Sequence, residues 1–385
     1  MEIKQVYNFV NTATEEALGR SGVVNEDLSN IVDVGDELFN SNAVDRYVRA
    51  LVNHIGRVIF VNRAYAGSAP SVLMDGWEFG SVMEKIQIEL PNAVENESWD
   101  LINGASYDPN IFTAPQVTVK FYNKRVTFEV DMSIAERQVK QSFSDASQLN
   151  GFISAVFNAV ERSMTVKLDE LIMRTINNFI ADTVHDEYSG EALSSKSGVR
   201  AVNLLYLYKN FTGDSTITAA NALSKPEFIR FASYTIANYI TRMGKMSSLF
   251  NIGGKSRFTT KEMLHAVLHS DFASAASVYL QSSTFHNEYT ALPNADLVPY
   301  WQGSGERYSW EDSSKIMVTT STASNVTVSG IVGVLWDRDA LGVANMNRRV
   351  TTNYNGKAEF YNNFFKWDAQ YFNDQNENFV VFFVA

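Results

Sequence analysis

Four clusters in this chain combine residue types and spacings that could do chemistry, and each lacks something its reaction requires. Gly254-Lys255-Ser256 has the ending of a phosphate-cradling P-loop, but that loop also needs a glycine five positions before Gly254, where Leu249 stands. His265 and His269 are four apart on an expected helix, with Glu262 one turn earlier, a spacing at which two imidazoles can share a metal ion. A zinc protease places Glu directly after the first His, and here that residue is Ala266. Asp337 and Asp339 flank Arg338 in an expected turn; paired carboxylates can serve as acid and base, although alternating charges in a turn ordinarily pair with each other or with water. Gly303 and Gly305 form a glycine pair with no strand and helix around them, which is loop chemistry rather than a dinucleotide fingerprint. Two glycosylation sequons, Asn210 to Thr212 and Asn325 to Thr327, carry no weight without a secretion signal. The sequence therefore offers no catalytic, cofactor-binding or metal site, and the chain is expected not to be an enzyme.

The elements that would have to position such residues are more informative. Leu149, Phe152, Ile153, Val156, Phe157, Val160, Met164, Leu168, Leu171, Ile172, Ile176, Phe179 and Ile180 recur at helical spacing, and no Pro or Gly interrupts Phe152 to Val184. Ser144, Asp145 and Ser147 offer N-cap oxygens, and Glu170 can pair with Arg174 one turn on. A helix of roughly 35 residues reaches about 50 Å. A globule of this chain length has a radius of gyration of about 21 Å and a diameter of about 55 Å, so the helix would cross the whole subunit as a spine. A long core helix or coiled-coil arm is the plainer reading, but the apolar stripe is wider than a coiled-coil seam.

Before the spine, residues from Met83 to Met132 read as an extended ribbon. Ile86, Ile88 and Leu90 alternate with polar residues, as do Val117, Val119 and Phe121; Val126, Phe128 and Val130 then alternate on the opposite parity. That parity change predicts a hairpin turn at Tyr122 to Lys124, or one long strand bent there. Pro91 to Pro115 is rich in Asn, Asp, Gly and Pro and reads as a loop at the ribbon's tip. A two-stranded ribbon is marginal alone in water, so its apolar face needs a partner, and a second copy of the chain is the natural one.

Composition sets the outer bounds. The 385 residues are 45% hydrophobic, enough for a large core and two or three structural units. The absence of cysteine removes disulfides, thiolate metal sites and cysteine nucleophiles. The net charge of −11 argues against tight, sequence-specific nucleic-acid binding, though a container for nucleic acid would benefit from walls that do not grip it. No signal peptide is read at the start, and the apolar stretch from Phe379 is too short to span a membrane; it suits a buried strand.

Along the chain, Glu2, Glu15, Glu16, Glu26, Asp27, Asp33, Asp36 and Glu37 against only Lys4 and Arg20 predict an acidic arm of amphipathic helices, followed by a short helix from Val44 to Ile55 and a strand from Arg57 to Asn62. Ser189 to Gly198 marks a boundary after the spine. Helices are expected at Lys225 to Met243 and Thr260 to Leu280, and strands at Ile331 to Trp336, Val350 to Asn353 and Glu359 to Phe372, with Phe379 to Val384 pairing back across the turn Asn373 to Asn378. Helix and strand mix without strict alternation, so the class is α+β.

The order of parts, with the segments Gln148 to Ile180, Val332 to Val343 and Asn362 to Val384, resembles the major capsid proteins of tailed bacteriophages and herpesviruses, and more specifically those of small, short-tailed podophages. The resemblance implies an N-terminal arm (residues 1–56), a P-domain (57–82, 133–195 and 345–385) with spine helix 147–184, an E-loop (83–132) and an inserted A-domain (196–344). It implies a subunit that builds an icosahedral shell of hexamers and pentamers around double-stranded DNA, assembled in the host cytoplasm with scaffolding and portal proteins, with no cofactor and no membrane. An encapsulin-type compartment shell would use the same fold. The apolar ribbon residues Ile86, Ile88, Leu90, Val117, Val119, Phe121, Val126, Phe128 and Val130 are the candidate subunit interface, and replacing the last three with Ser is expected to block assembly while leaving a folded subunit.

Overall fold

A single helix of 43 residues, Ala146–Tyr188, runs through the computed structural model and spans about 64 Å. The structure describes residues 3–20, 23–41, 43–51, 69, 72–74, 83–89, 91, 93–143, 146–281, 295–303, 309–320 and 325–385. The expected strand at Arg57 to Asn62, the caps Ser144 and Asp145, Leu90 and Gly305 lie outside the described residues, as do the side chains of Ser147 and Phe157. The spine belongs to two hydrophobic cores in succession. Leu149, Ile153, Val156, Val160 and Met164 pack with the N-terminal helices Ile3–Leu18 and Ile31–Asn40 and with Tyr47, Val48 and Leu51 of a helix over 44–51. From Leu168 to Tyr188 the spine packs instead against a sheet. Its expected Glu170 to Arg174 pair is replaced: Lys167 bonds Glu170 at 2.8 Å, and the Arg174 guanidinium lies over the Tyr371 ring.

Strands are numbered in chain order: β1 (Leu73–Met74), β2 (Met83–Ile88), β3 (Val117–Tyr122), β4 (Arg125–Ala135), β5 (Ala201–Asn203), β6 (Leu264–His269), β7 (Asp296–Val298), β8 (Ile316–Val318), β9 (Val326–Val328), β10 (Ile331–Asp337), β11 (Leu341–Asn355), β12 (Phe360–Asn373) and β13 (Phe379–Phe383). Among the described residues they form a four-stranded sheet β1-β11-β12-β4, a five-stranded sheet β5-β13-β10-β6-β7, and two separate pairs, β2-β3 and β8-β9. The five-stranded sheet lies between the spine and the helices Leu204–Thr212, Pro226–Met243 and Ser270–Gln281. Along β13, Phe379, Val381 and Phe383 face the spine's core, while Val380 and Phe382 face the helical one. Burial on both faces is why this strand reads as a continuous apolar run.

Two sequence expectations change here. The final strand does not pair back on its predecessor: β12 pairs with β11 and β4, and the chain then crosses at 374–378 to place β13 between β5 and β10. The long hairpin is β11-β12, closed by the turn at 356–359. The expected helix from Thr260 to Leu280 starts only at Ser270, because Leu264–His269 inserts into the sheet as β6 beside β10. A run apolar on both faces satisfies a buried strand as well as a helix, and the backbone pairing decides it.

Candidate assembly surface

The ribbon β2-β3 presents its faces in an unusual order: its polar residues point toward the subunit and its apolar residues toward solvent. Register pairs Ile86 with Val119 and Ile88 with Val117 on one face, and Lys85 with Lys120 on the other. Ile86 and Phe121 are 62% and 65% exposed, and Ile88, Val117 and Val119 are exposed beside them. Isolated apolar residues are ordinary on a surface, but a contiguous apolar face on a two-stranded ribbon is not.

The polar face is held by the crossing at 374–378. Two lysines opposed across a strand pair repel, and Asp374 lies between them, fully buried, with Oδ2 2.9 Å from Lys85 Nζ and Oδ1 2.7 Å from Lys120 Nζ. Glu377 Oε1 takes Lys85 Nζ at 2.9 Å, the Gln87 amide at 2.8 Å and Arg257 Nε at 3.4 Å. Lys85 also donates to the Asp339 carbonyl at 3.2 Å, and Lys255 pairs with Glu89. Burial pushes the Asp374 carboxyl up, but the ammonium groups of Lys120 and Lys85 more than reverse this and hold it below the usual carboxylate range. For Lys85, burial favours the neutral amine, yet Asp374 and Glu377 raise the ammonium above its ordinary value. Glu377 is raised, because burial outweighs the attraction of Lys85 and Arg257. The result is a charge latch that holds the ribbon's base with its apolar face outward.

Above the base, the loop 93–116 carries further exposed apolar side chains: Trp99 is 94% exposed and Phe112 87%, with Val94, Leu101, Ile102 and Ile111 also exposed. The candidate interface residues thus divide. Ile86, Ile88, Val117, Val119 and Phe121 share the outward ribbon face. Val126, Phe128 and Val130 lie on β4, which pairs with β12 rather than β3; Phe128 and Val130 pack on the spine's first core, and Val126 is half-buried beside them. The parity change at 122–125 is a passage from one sheet into another, across the two-residue break Asn123 and Lys124.

The chemistry-bearing clusters become structural parts. His265 and His269 lie on a strand, where residues four apart sit about 13 Å apart along the backbone, too far to share an ion. His265 stacks on Trp336, and His269 is buried edge-on to Trp310; burial lowers both imidazoles below their usual range. Asp337 is buried and accepts from Thr259 Oγ1 at 2.8 Å and from the Asp339 amide at 3.0 Å, an arrangement that fixes the turn after β10. Gly254-Lys255-Ser256 is a turn tied by Asn251, whose Oδ1 accepts from the Lys255 amide at 2.8 Å and whose Nδ2 donates to the Lys255 carbonyl at 2.7 Å. Among the described residues no group of three or more His, Asp or Glu side chains could hold a metal ion, and no helix is long and apolar enough to cross a membrane.

Sequence reasoning missed the latch. Its partners are separated by 254 positions (Lys120 to Asp374) and 292 positions (Lys85 to Glu377), and the run Asn373 to Asn378 reads as an ordinary turn.

Comparison with known proteins agrees with this architecture. No curated protein sequence matches the chain. Among solved structures, the capsid of Staphylococcus phage Andhra aligns over 84% of this chain and 86% of its own, at 10% identity and a TM-score of 0.50; the capsid of cyanophage P-SCSP1u aligns over 84% and 90%, at 9% identity and a TM-score of 0.46. The first of these likenesses carries the fold, an α+β phage-capsid architecture. The family model for Phi29-like phage major capsid protein matches residues 10–383, nearly the whole length, and the chain belongs to that family.

Proposed function

We propose that this major capsid subunit joins hexamers and pentamers of an icosahedral, podophage-type shell around double-stranded DNA, and that the outward face of β2-β3, with its tip, is the surface it lays on a neighbouring subunit. The observation that carries this reading is the inverted ribbon. A sheet serving its own subunit buries its apolar face, whereas this one binds its own subunit through Lys85, Gln87 and Lys120 and leaves Ile86, Val119 and Phe121 for another chain. Each contact is modest, but a closed lattice makes many at once, so the shell resists the loss of any one. Domain roles follow the outline of an arm (1–56), a P-domain (57–82, 133–195 and 345–385) built on the spine, an E-loop (83–132) and an A-domain (196–344), with two changes of boundary: β4 belongs with the P-domain sheet rather than the ribbon, and β13, from the last P-domain segment, completes the five-stranded sheet of the A-domain. Assembly in the host cytoplasm with scaffolding and portal proteins fits this reading, with DNA held by proximity rather than grip, as the net charge of −11 suits. The protein's task is architectural, and an encapsulin-type cargo shell is the less favoured use of the same fold.

The test is the variant Ile86→Ser, Val119→Ser, Phe121→Ser. Its unassembled subunit should keep its stability within about 0.5 kcal/mol, since no core contact is lost. Electron microscopy and sedimentation should show no shells or capsomers. Normal shells from that variant would refute the reading.

A further inference from the structure

The tip of the ribbon and a distant turn carry matched and opposite character. Between Pro91 and Gln116 the chain has four carboxylates, Glu95, Glu97, Asp100 and Asp108, and no Lys or Arg. The segment also exposes Trp99 and Phe112. Between Arg242 and Lys261 it has five basic residues, Arg242, Lys245, Lys255, Arg257 and Lys261, and no carboxylate. That second segment is shaped by an antiparallel bridge between Ser247 and Arg257, whose register sets Met246 opposite Phe258. Met246, Leu249 and Phe258 are all exposed around it.

Within the subunit the two basic residues nearest the ribbon are taken: Lys255 by Glu89 and Arg257 by Glu377. Arg242, whose guanidinium lies over the Tyr239 ring, and Lys245 and Lys261 are exposed at the surface in the same segment as the exposed Met246 and Phe258. Such a cluster is a marked local excess in a chain of net charge −11. An acidic, aromatic loop and a basic, apolar turn are complementary in both the terms that set an interface, the apolar contact that gives affinity and the charge match that gives orientation and register.

We propose that the tip loop 93–116 of one subunit docks on the 242–261 turn of a second copy of this chain, with Trp99 and Phe112 against Met246, Leu249 and Phe258 and with Glu95, Asp100 and Asp108 facing Arg242, Lys245 and Lys261. This rests on the reading of the ribbon as an assembly surface and names the place that receives it.

Charge exchange tests it. Glu95→Lys with Asp100→Lys should raise the protein concentration needed for shell formation at least tenfold, as should Lys245→Glu with Lys261→Glu. The chain bearing all four changes should recover to within about threefold of the unaltered protein. High salt should narrow the gap between unaltered and singly reversed proteins. Because the chain has no cysteine, Trp99→Cys with Phe258→Cys places only two thiols in each subunit; mild oxidation of assembled shells should give covalent multimers on a non-reducing gel. Unimpaired assembly of both reversed pairs overturns the docking site. So does failure of the fourfold variant to recover, or shells of the double-cysteine variant without cross-links. If any of these occurs while Ile86→Ser, Val119→Ser, Phe121→Ser still abolishes shells, the ribbon reading stands and only the receiving surface is wrong.

Discussion

Asp374 decides how the ribbon leaves the subunit. Fully buried between two lysines, it converts a repulsive cross-strand pair into an anchor, and its own burial is offset by both ammonium groups together with the Gln87 amide and the Asn376 N–H. Asp374→Asn keeps the shape but leaves Lys120 without its carboxylate and Lys85 with Glu377 alone, at a cost of about 3 kcal/mol in the unassembled subunit, read from the urea midpoint. The pH dependence has a defined sign. The carboxyl is depressed in the folded state, so its contribution is present above the ordinary carboxylate range and lost as pH falls through the depressed value. The difference between unaltered protein and Asp374→Asn should therefore be full at pH 7 and close in strong acid. Lys85, raised in the folded state, contributes fully below its ordinary value and loses that contribution as pH rises through the raised one. Glu377, raised by burial, takes up its proton first on acidification and in doing so favours the fold, so Glu377→Gln should abolish a small rise in the urea midpoint that precedes the acid loss. Nothing in the local sequence announces this group: Asn373 to Asn378 has turn composition whether or not a distant ribbon sits on it.

At the scale of elements, periodicity reveals what a segment is, but much less about what it lies beside. The spine is legible because an uninterrupted stripe of Leu, Ile, Val and Phe fits one helical face, and both strands of the ribbon are legible from alternation. Alternation looks the same whether the apolar side faces a core or open solvent, so β2-β3 and β4 look alike in sequence and differ in use. The difference can be measured. Val126→Ser, Phe128→Ser, Val130→Ser removes half-buried contacts to the subunit's own core and should cost roughly 1 kcal/mol per site, lowering the thermal midpoint of the isolated subunit. The matching triple change on Ile86, Val119 and Phe121 should leave that midpoint in place. Equal midpoints for the two variants would mean that β4 leans on a neighbour as β2-β3 does. Topology was the least legible level: β13 reads as the return strand of a hairpin because a polar turn precedes it, and only its burial on both faces, between β5 and β10, shows that it belongs to the other sheet.

The spine is the longest of the described elements shared by two cores, and β11 and β12 run with it from one core to the other. Met164 closes the core shared with the N-terminal helices and Leu168 opens the core shared with the five-stranded sheet, so the three residues between them help to set the angle between the halves. A shell needs that angle to be the same, within narrow limits, in every subunit, because small errors accumulate around a closed surface. Val166 lies in this stretch and is exposed, so a change there disturbs the helix without emptying either core. Val166→Pro removes one helical hydrogen bond and drives the proline ring against the carbonyl of Arg162, costing about 3 kcal/mol and bending the spine between its two cores. Each core keeps its own contacts, so the isolated subunit should retain its near-ultraviolet dichroism while unfolding at a lower urea concentration. Its assemblies should be open sheets, spirals or mis-sized shells under the electron microscope, whereas Val166→Ala should form shells of normal size. If Val166→Pro also closed into normal shells, the angle between the halves would be fixed by β11 and β12 or by contacts between neighbouring subunits, and the spine would be a tether rather than a gauge.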